Sequence, residues 1–372
     1  MKLLLVIGTR PEAIKMAPLV RRLMVQDKIE FKTCSTGQHK DLLDSILGFF
    51  NLSIDYDLAL MSSNQGLHGL TSSIITKTKP IFEDYKPDYV LVHGDTTTSF
   101  ASALAAFYSG IKVAHVEAGL RTFNKTAPFP EEMNRTLTGR IADVHFAPTE
   151  LSKLNLLNEG TTENVFVTGN TVIDALHDAL DLIDEESNEI KYLKTLLTND
   201  RKKILLFTGH RRENFGTGFD AIFEGLNQLT VERNDITIVY PVHPNPNVKK
   251  CALKYFKNNS DIHLVEPLSY GAFIWLLKKS YLILTDSGGI QEEAPSLGKP
   301  VLVLREVTER PEAVEAGTVI LVGTDKDMMK QITHELLDNT DLYNKMSAIN
   351  NPYGDGKATE RIVEYFINKI DK

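Results

Sequence analysis

The chain has 372 residues, of which 42% are hydrophobic and 24% are charged, and this composition excludes a disordered chain, a coiled coil and a collagen-like fibre. Its 41 lysines and arginines against 49 aspartates and glutamates give a net charge of −8, which argues against binding of nucleic acid through the overall charge of the protein. Two cysteines, Cys34 and Cys251, form neither a metal-type spacing nor a disulfide framework, which fits a reducing compartment.

The first predicted element is the apolar run Leu3–Ile7, close to the amino terminus. Five apolar residues are too few for the core of a signal peptide, and no stretch of the chain approaches the ~18 apolar residues of a membrane span. We therefore expect a soluble, cytoplasmic protein with no membrane or nucleic-acid partner.

Short apolar runs alternate with helical segments along the chain, which predicts an α/β protein. The runs in the first half are Leu3–Ile7, Phe31–Ser35, Tyr89–His93, Val113–Val116, Val144–Ala147 and Val165–Thr168. Those in the second half are Ile204–Thr208, Ile236–Tyr240, Ile262–Val265, Tyr281–Thr285, Val301–Leu304 and Val319–Val322. Runs without polar alternation are typical of strands buried on both faces of a parallel sheet.

About a dozen strands are too many for one open sheet of ~10 strands or fewer. The charged segment Ile183–Arg201 has no strand signal and separates the two sets. We therefore predict two doubly wound parallel-sheet, Rossmann-like domains facing a cleft, with ligands at the carboxyl ends of the strands. The predicted domains are residues 1–170, joined by a C-terminal helix within 353–372, and residues 171–352.

The first strand leads into a turn and then a helix, through Gly8–Lys15. Thr9 and Glu12 have the spacing of a capping box, and Arg10 and Lys15 add two cations to the start of the helix. A helix start of this kind presents free N–H groups to an anion such as phosphate. The alternative is a capped helix with two solvated cations.

Acidic and histidine side chains follow the next two strands of the first half. His93 and Asp95 are two residues apart, as are His115 and Glu117, so each pair is expected to share a face of its strand. Glu131 belongs to a third acidic cluster, in the loop 128–135. Carboxylates that converge on a cleft suit general acid–base chemistry, because burial and repulsion separate their pKa values. The alternatives are a metal site and structural pairing with nearby arginines.

The second half contains a similar strand–turn–helix start at Asp286–Gly289. Ser287 is expected to cap the helix, while two glycines would let a phosphate approach the backbone. Glu293, one turn further on, could accept hydrogen bonds from ribose hydroxyls. The segment Thr308–Glu312 predicts a second capped helix start, with Arg310 directed at an anion. The alternative for Asp286–Gly289 is a tight structural turn.

Two histidines follow strands of the second half. His210 precedes Arg211 and Arg212, a setting that suits stabilising a leaving phosphate or moving a proton; the alternative is a structural helix start with solvated charges. His243 lies in a loop stiffened by three prolines and is as compatible with a structural as with a functional role.

Six motifs in order resemble those of the bacterial non-hydrolysing UDP-N-acetylglucosamine 2-epimerases. They are Gly8–Lys15, His93–Thr96, His115–Arg121, Pro130–Arg135, Gly209–Glu213 and Asp286–Glu293. The resemblance implies a fold of the glycosyltransferase-B type and a homodimer. It also implies interconversion of UDP-GlcNAc and UDP-ManNAc through elimination of UDP to a 2-acetamidoglucal and re-addition. Neither NAD nor an obligatory metal is expected, and the product would serve surface polysaccharide synthesis.

The resemblance also implies roles for individual residues. The expected catalytic residues are Asp95, Glu117, Glu131 and His210. The expected UDP contacts are Arg10, Lys15, Phe273, Ser287, Gly288, Gly289, Glu293 and Arg310. The positions associated with a second, activating UDP-GlcNAc match Gln38, His39, Gln65, Glu131, one arginine of Arg211 and Arg212, for which Arg211 is taken, and His243. Asn64 and Leu268 depart from the pattern of some members, where arginine and glutamine stand.

Three rival functions share much of this pattern. A glycosyltransferase on the same fold would need an acceptor, whereas an epimerase turns over the UDP-sugar alone. A hydrolysing epimerase would release ManNAc and UDP. A catalytically silent UDP-sugar-binding regulator would not need three acids.

Overall fold

The computed structural model describes residues 1–37, 40–60, 66–199 and 201–371, with the side chains of all but 40–42 and 212. These residues form two compact units. The N-terminal unit comprises Met1–Asp178 and Tyr353–Lys372, and the C-terminal unit comprises Ala179–Pro352. The division falls inside a helix, Thr171–Leu182, whereas the predicted boundary lies at its start.

In the described part of the N-terminal unit, seven parallel strands form one sheet in the order β3-β2-β1-β4-β5-β6-β7. The strands are β1 (Lys2–Ile7), β2 (Glu30–Ser35), β3 (Tyr56–Asp57), β4 (Tyr89–His93), β5 (Lys112–Val116), β6 (Val144–Ala147) and β7 (Val165–Val167). The central strands are buried on both faces, because helices cover the sheet on each side.

The helices of this unit follow the strands in alternation. They are α1 (Arg10–Met24), α2 (Lys40–Phe49), α3 (Leu67–Tyr85), α4 (Thr97–Tyr108), α5 (Glu131–Ile141), α6 (Glu150–Asn158) and α7 (Thr171–Leu182). The C-terminal helix α16 (Ala358–Ile370) returns to the same unit. Asp174 of α7 accepts hydrogen bonds from the main-chain N–H groups of Ala358 and Thr359, and the Phe366 ring packs on Tyr89.

In the described part of the C-terminal unit, six parallel strands form a second sheet in the order β10-β9-β8-β11-β12-β13. They are β8 (Lys203–Thr208), β9 (Ile236–Pro241), β10 (Ile262–Val265), β11 (Leu282–Thr285), β12 (Val301–Val303) and β13 (Val319–Leu321). The helices are α8 (Asn188–Leu196), α9 (Thr217–Glu232), α10 (Pro246–Phe256), α11 (Tyr270–Lys279), α12 (Gly288–Glu293), α13 (Pro311–Ala316), α14 (Lys326–Asp338) and α15 (Thr340–Ser347).

The predicted fold class, two doubly wound parallel α/β sheets, is confirmed. In each unit the order of strands reverses beside the first strand, so the loops after β1 and β4, and after β8 and β11, leave the sheet at adjacent carboxyl ends. None of the helices in the described ranges combines the length and the apolar character that crossing a membrane requires.

Candidate active site

Glu117 lies at the carboxyl edge of the N-terminal sheet, immediately after β5. Lys15 Nζ, from α1, forms an ion pair with Glu117 Oε2, and His93 Nε2, at the end of β4, lies 3.5 Å from the same oxygen. The three side chains are 11% exposed or less. Burial by itself would raise the pKa of Glu117, but the charge of Lys15 and then His93 hold that pKa well below its usual range. The carboxylate is therefore ionised at neutral pH although it is buried.

Asp95 and the start of α5 come together next to this cluster. Arg135 Nη2 donates to Asp95 Oδ2, and Asn134 Nδ2 donates to the main-chain oxygen of Asp95 at 3.0 Å. Glu131, the first residue of α5, shares a helix face with Asn134 and Arg135, because side chains three and four positions apart are neighbours. Asp95 and Glu131 are therefore presented from two elements at the same edge of the sheet.

The expected pairs within each strand, His93 with Asp95 and His115 with Glu117, are wrong. His93 lies against Glu117 instead, and His115 Nε2 donates to the carbonyl oxygen of Gly94 at 2.7 Å. Complete burial lowers the pKa of His115 to about 3, so this ring is neutral. Strand alternation does not extend to the two acids, because β4 ends at His93 and β5 ends before Glu117. Gly94 and Glu117 then adopt φ angles of 62° and 60°, outside the extended region.

The start of α1 is the predicted capping box, and the structure confirms it. Thr9 Oγ1 accepts from the main-chain N–H of Glu12, and the Glu12 carboxylate accepts from that of Thr9 at 2.7 Å. The same carboxylate accepts from Thr96 Oγ1 at 2.7 Å and from Ser99 Oγ at 3.0 Å. Glu12 thus ties the start of α1 to that of α4 and fixes Arg10, the first residue of α1, at the carboxyl edge.

Asp286, which is completely buried, organises the corresponding edge of the C-terminal sheet. Its Oδ2 accepts from the main-chain N–H groups of His210 at 2.9 Å and Arg211 at 2.8 Å, and its Oδ1 lies 3.4 Å from His210 Nδ1. The His210 ring stacks on that of His243, with centroids 5.3 Å apart. Burial lowers the pKa of His210; Asp286 opposes this, and the neighbouring His243 and Arg211 add to it. His210 is therefore mainly neutral at pH 7.

Two guanidinium groups converge at the start of α12. A Cβ atom at Gly288 would lie 3.9 Å from Arg310 Nη2 and 4.0 Å from Arg211 Nη2, whereas a Cβ at Gly289 would meet nothing within 4 Å. The Arg310 guanidinium is positioned by its Nε, which donates to Glu292 Oε1. Two arginines beside free main-chain N–H groups can bind a phosphate with charge-assisted hydrogen bonds.

Two predicted helix caps are wrong. Helices begin at Gly288 and Pro311, but neither Ser287 nor the segment Thr308–Glu312 supplies a side-chain cap. The Thr308 hydroxyl is already used, because it donates to Gln291 Oε1 at 2.6 Å and accepts from the Arg310 N–H at 3.1 Å. Thr308 instead holds the segment that carries Arg310 against α12.

The other predicted site residues are distributed over several elements. Phe273 is half-buried in the first turn of α11, Glu293 ends α12 and is buried, His243 is exposed after β9, and Leu268 is half-buried before α11. Gln38, His39, Asn64 and Gln65 lie outside the described residues. Within the described ranges, no group of three or more His, Cys, Asp or Glu side chains is arranged to hold a metal ion.

Sequence reasoning missed four residues as members of the site. Arg135, Asp286 and Glu292 position proposed functional groups, and Glu132 accepts from main-chain N–H groups of the loop 122–123. Their positions in the sequence could have indicated a role in the site, because Asp286 directly follows a strand and the others lie within acidic and basic motifs. Their long-range partners are visible only in the folded chain.

Comparisons with known proteins cover almost the whole chain. The family model for UDP-N-acetylglucosamine 2-epimerase matches residues 21–367. A UDP-N-acetylglucosamine 2-epimerase of Campylobacter jejuni is 53% identical, covering 98% of this chain and 97% of that protein. The protein of the same name from Escherichia coli K12 is 52% identical, covering 99% of each. The crystal structure of UDP-GlcNAc 2-epimerase from Neisseria meningitidis bound to UDP-GlcNAc matches with a TM-score of 0.90 and 49% identity, over 99% of this chain and 100% of that one. Because fold, motif order and sequence agree over nearly the full length, this chain belongs to the UDP-N-acetylglucosamine 2-epimerase family.

Proposed function

We propose that this chain interconverts UDP-GlcNAc and UDP-ManNAc by inverting C2, without hydrolysis and without NAD or an obligatory metal. One observation carries the proposal: Glu117 is buried yet ionised, held by Lys15 and His93 at the carboxyl edge of the N-terminal sheet. The homologous enzyme of Neisseria meningitidis, crystallised with UDP-GlcNAc, supports the choice of substrate.

The proposed reaction proceeds through elimination and re-addition. A carboxylate accepts the C2 proton while the bond between C1 and the UDP oxygen breaks, giving UDP and 2-acetamidoglucal. A carboxylic acid then returns a proton to C2 from the opposite face, and the UDP oxygen re-forms its bond to C1. The C2 proton is not activated by a carbonyl, so departure of UDP must develop positive charge at C1. The enzyme must therefore stabilise the leaving diphosphate as well as move protons.

We assign binding of the nucleotide diphosphate to the C-terminal unit. The two guanidinium groups at Gly288 support this role, together with the open space at Gly289. His210, neutral and anchored by Asp286, would donate a hydrogen bond to the leaving phosphate. We further propose contacts to UDP from Arg10, Lys15, Phe273, Ser287, Gly288, Gly289, Glu293 and Arg310.

We assign proton transfer at C2 to Asp95, Glu117 and Glu131. Asp95→Asn, Glu117→Gln and Glu131→Gln should each reduce kcat by ~10²-fold or more, while UDP binding is largely retained, because the amide keeps the shape and loses the base. Glu163→Gln, an exposed acid of the same unit, is the matched control and should leave kcat unchanged. Near-normal turnover of a variant would remove that residue from the acid–base set.

The decisive experiment uses proton NMR in deuterated water with UDP-GlcNAc as the only substrate. Deuterium at C2 of both epimers supports the proposed reaction. Release of free ManNAc and UDP would show a hydrolase, and turnover only with an added acceptor would show a glycosyltransferase. Activity that persists after EDTA treatment and removal of nicotinamide nucleotides supports the cofactor-free mechanism, and loss restored by a divalent ion would contradict it.

We propose in addition that a second UDP-GlcNAc activates the enzyme, that the chain forms a homodimer, and that the product supplies surface polysaccharide synthesis. An activator acts only through its greater affinity for the competent state. The forward reaction should then be sigmoidal in UDP-GlcNAc, and the reverse reaction should show a lag that a trace of UDP-GlcNAc removes. His243→Ala should weaken both effects more than it lowers the maximal rate.

A further inference from the structure

A second cavity lies in the C-terminal unit, away from the candidate active site. Its volume is about 540 Å³, and its lining includes Lys203, Ile204 and Thr237, near the amino ends of β8 and β9. The groups of the C-terminal unit that are assigned to UDP follow the carboxyl ends of strands in this sheet. A parallel sheet has these two edges on opposite sides, so the cavity is separate from them.

The charge of the cavity is opposite to that of the chain. Among the described residues, four lysines line it, Lys202, Lys203, Lys279 and Lys299, together with one carboxylate, Asp261. These five side chains carry a charge of about +3 on a chain whose net charge is −8.

Two of these lysines are already engaged by the protein. Lys202 Nζ forms an ion pair with Asp261. Lys203 Nζ donates to the Leu337 carbonyl oxygen at 2.7 Å and lies 4.3 Å from the centroid of the Tyr281 ring. These contacts fix one wall of the cavity, where Tyr281 stacks on Tyr343 with centroids 4.1 Å apart.

The other two lysines form no ion pair among the described residues. Lys279 Nζ lies 5.9 Å from the centroid of the Trp275 ring, and Glu185 is paired with Lys194, which lowers the pKa of this carboxyl, and is near enough for the charge of Lys279 to lower that pKa further. Lys299 is half-buried, and burial, followed by the charge of Lys279, lowers its pKa. An anion between Lys279 and Lys299 would relieve both effects, because it would replace lost water and screen the repulsion.

We propose that this cavity binds a small molecule with three or more linked phosphate groups, at a site separate from that of the UDP-sugar. Its volume is within the range of pockets that hold small ligands, ~300–1,000 Å³. Ammonium groups act as point charges toward phosphate, and several of them favour a multiply charged anion over a single carboxylate. The stacked tyrosines offer an apolar surface to the remainder of the ligand.

The test is isothermal titration of inorganic tripolyphosphate into the full-length protein, with saturating UDP present to occupy any UDP-sugar site. One binding event is expected. Lys299→Met should weaken it by about tenfold or more, and Lys279→Met by less, because Lys279 is exposed. Lys250→Met removes the same charge from an exposed position outside the cavity lining and should leave the affinity unchanged.

Lys299→Arg provides a rescue, because it keeps the charge, and it should bind within about threefold of wild type. The proposal is overturned if wild type shows no binding in the presence of UDP, or if Lys250→Met weakens binding as much as Lys299→Met does. Equal binding of citrate at the same ionic strength would overturn the phosphate class of ligand. If Lys299→Met loses the native circular dichroism spectrum, Lys279→Met takes its place in the test. An unchanged affinity of Lys279→Met for tripolyphosphate would then equally refute the site.

Discussion

Replacing Lys15 with methionine should destabilise the N-terminal unit strongly at neutral pH. Methionine keeps most of the length of the side chain and removes its charge, so the variant removes the ion pair with Glu117. In the folded protein the pKa of Glu117 lies well below its ordinary value of 4.5. Such a group stabilises the fold above its ordinary pKa, and this contribution is lost as the pH falls through the folded pKa.

The Lys15→Met substitution reverses the sign of the pH dependence that Glu117 gives to stability. Without Lys15, burial becomes the main influence and raises the pKa of Glu117 above 4.5. In the variant, the contribution of Glu117 to the free energy of unfolding is favourable below pH 4.5. It decreases as the pH rises toward the raised pKa, by up to about 1.4 kcal/mol per pH unit. Removing one partner of a buried pair costs about 3–5 kcal/mol.

The assay is urea unfolding between pH 5 and 8, followed by far-ultraviolet circular dichroism. The chain has one tryptophan, Trp275 in the C-terminal unit, so fluorescence provides an internal control that should move less. Lys28→Met breaks an exposed pair with Asp371, both side chains being 53% exposed, and should cost no more than about 1 kcal/mol. Adding Glu117→Gln to Lys15→Met should recover stability at pH 7 and remove the pH dependence.

The reasoning is refuted if Lys15→Met costs no more than Lys28→Met at pH 7. It is equally refuted if the free-energy difference between wild type and Lys15→Met is the same at pH 5 and pH 8. The first result would mean that Glu117 is solvated, and the second that it does not titrate in response to Lys15.

Three further predictions concern the same two sheets. His115 has a pKa of about 3 when folded and about 6.5 when unfolded, so it reduces stability as the pH falls below about 6.5; His115→Gln should flatten the pH dependence of urea unfolding in that range. Asp286→Asn should lower the pKa of His210 further, because it removes the negative charge that raises this pKa. A higher His210 pKa in an NMR titration of the variant would contradict this. Gly8→Ala should cost about 1–3 kcal/mol of unfolding free energy, because its Cβ would lie 2.0 and 2.5 Å from two threonine hydroxyl oxygens. Gly48→Ala, with nothing within 4 Å, is the helical control and should stabilise slightly.

Local pattern was sufficient to predict most of the elements. Each of the predicted apolar runs is a strand, with ends displaced by no more than a residue or two, because a strand buried on both faces needs an unbroken apolar sequence. The one strand of the described residues that the sequence did not predict, β3, contains only Tyr56 and Asp57, and two residues are too few to show a hydrophobic periodicity. The Thr9–Glu12 capping box was equally predictable, since both partners lie within one turn of chain.

The partners of the charged groups could not be predicted in this way. Lys15 and Glu117 are 102 positions apart, and Asp95 and Arg135 are 40 apart. They meet because β1, β4 and β5 are neighbours in the sheet, an order that no local period encodes. The same-face rule failed for Asp95 and Glu117, since the backbone leaves the extended conformation where each strand ends.

The sequence by itself therefore determined the fold class, the order of elements and the motifs that carry the family resemblance. Only the tertiary structure decided that Glu117 is ionised through Lys15, that Asp286 anchors His210, and that lysines surround a cavity at the other edge of the second sheet. The physical reason is that hydrophobic periodicity acts over a few residues, whereas a pKa or a charged cavity depends on side chains that folding brings from distant parts of the chain.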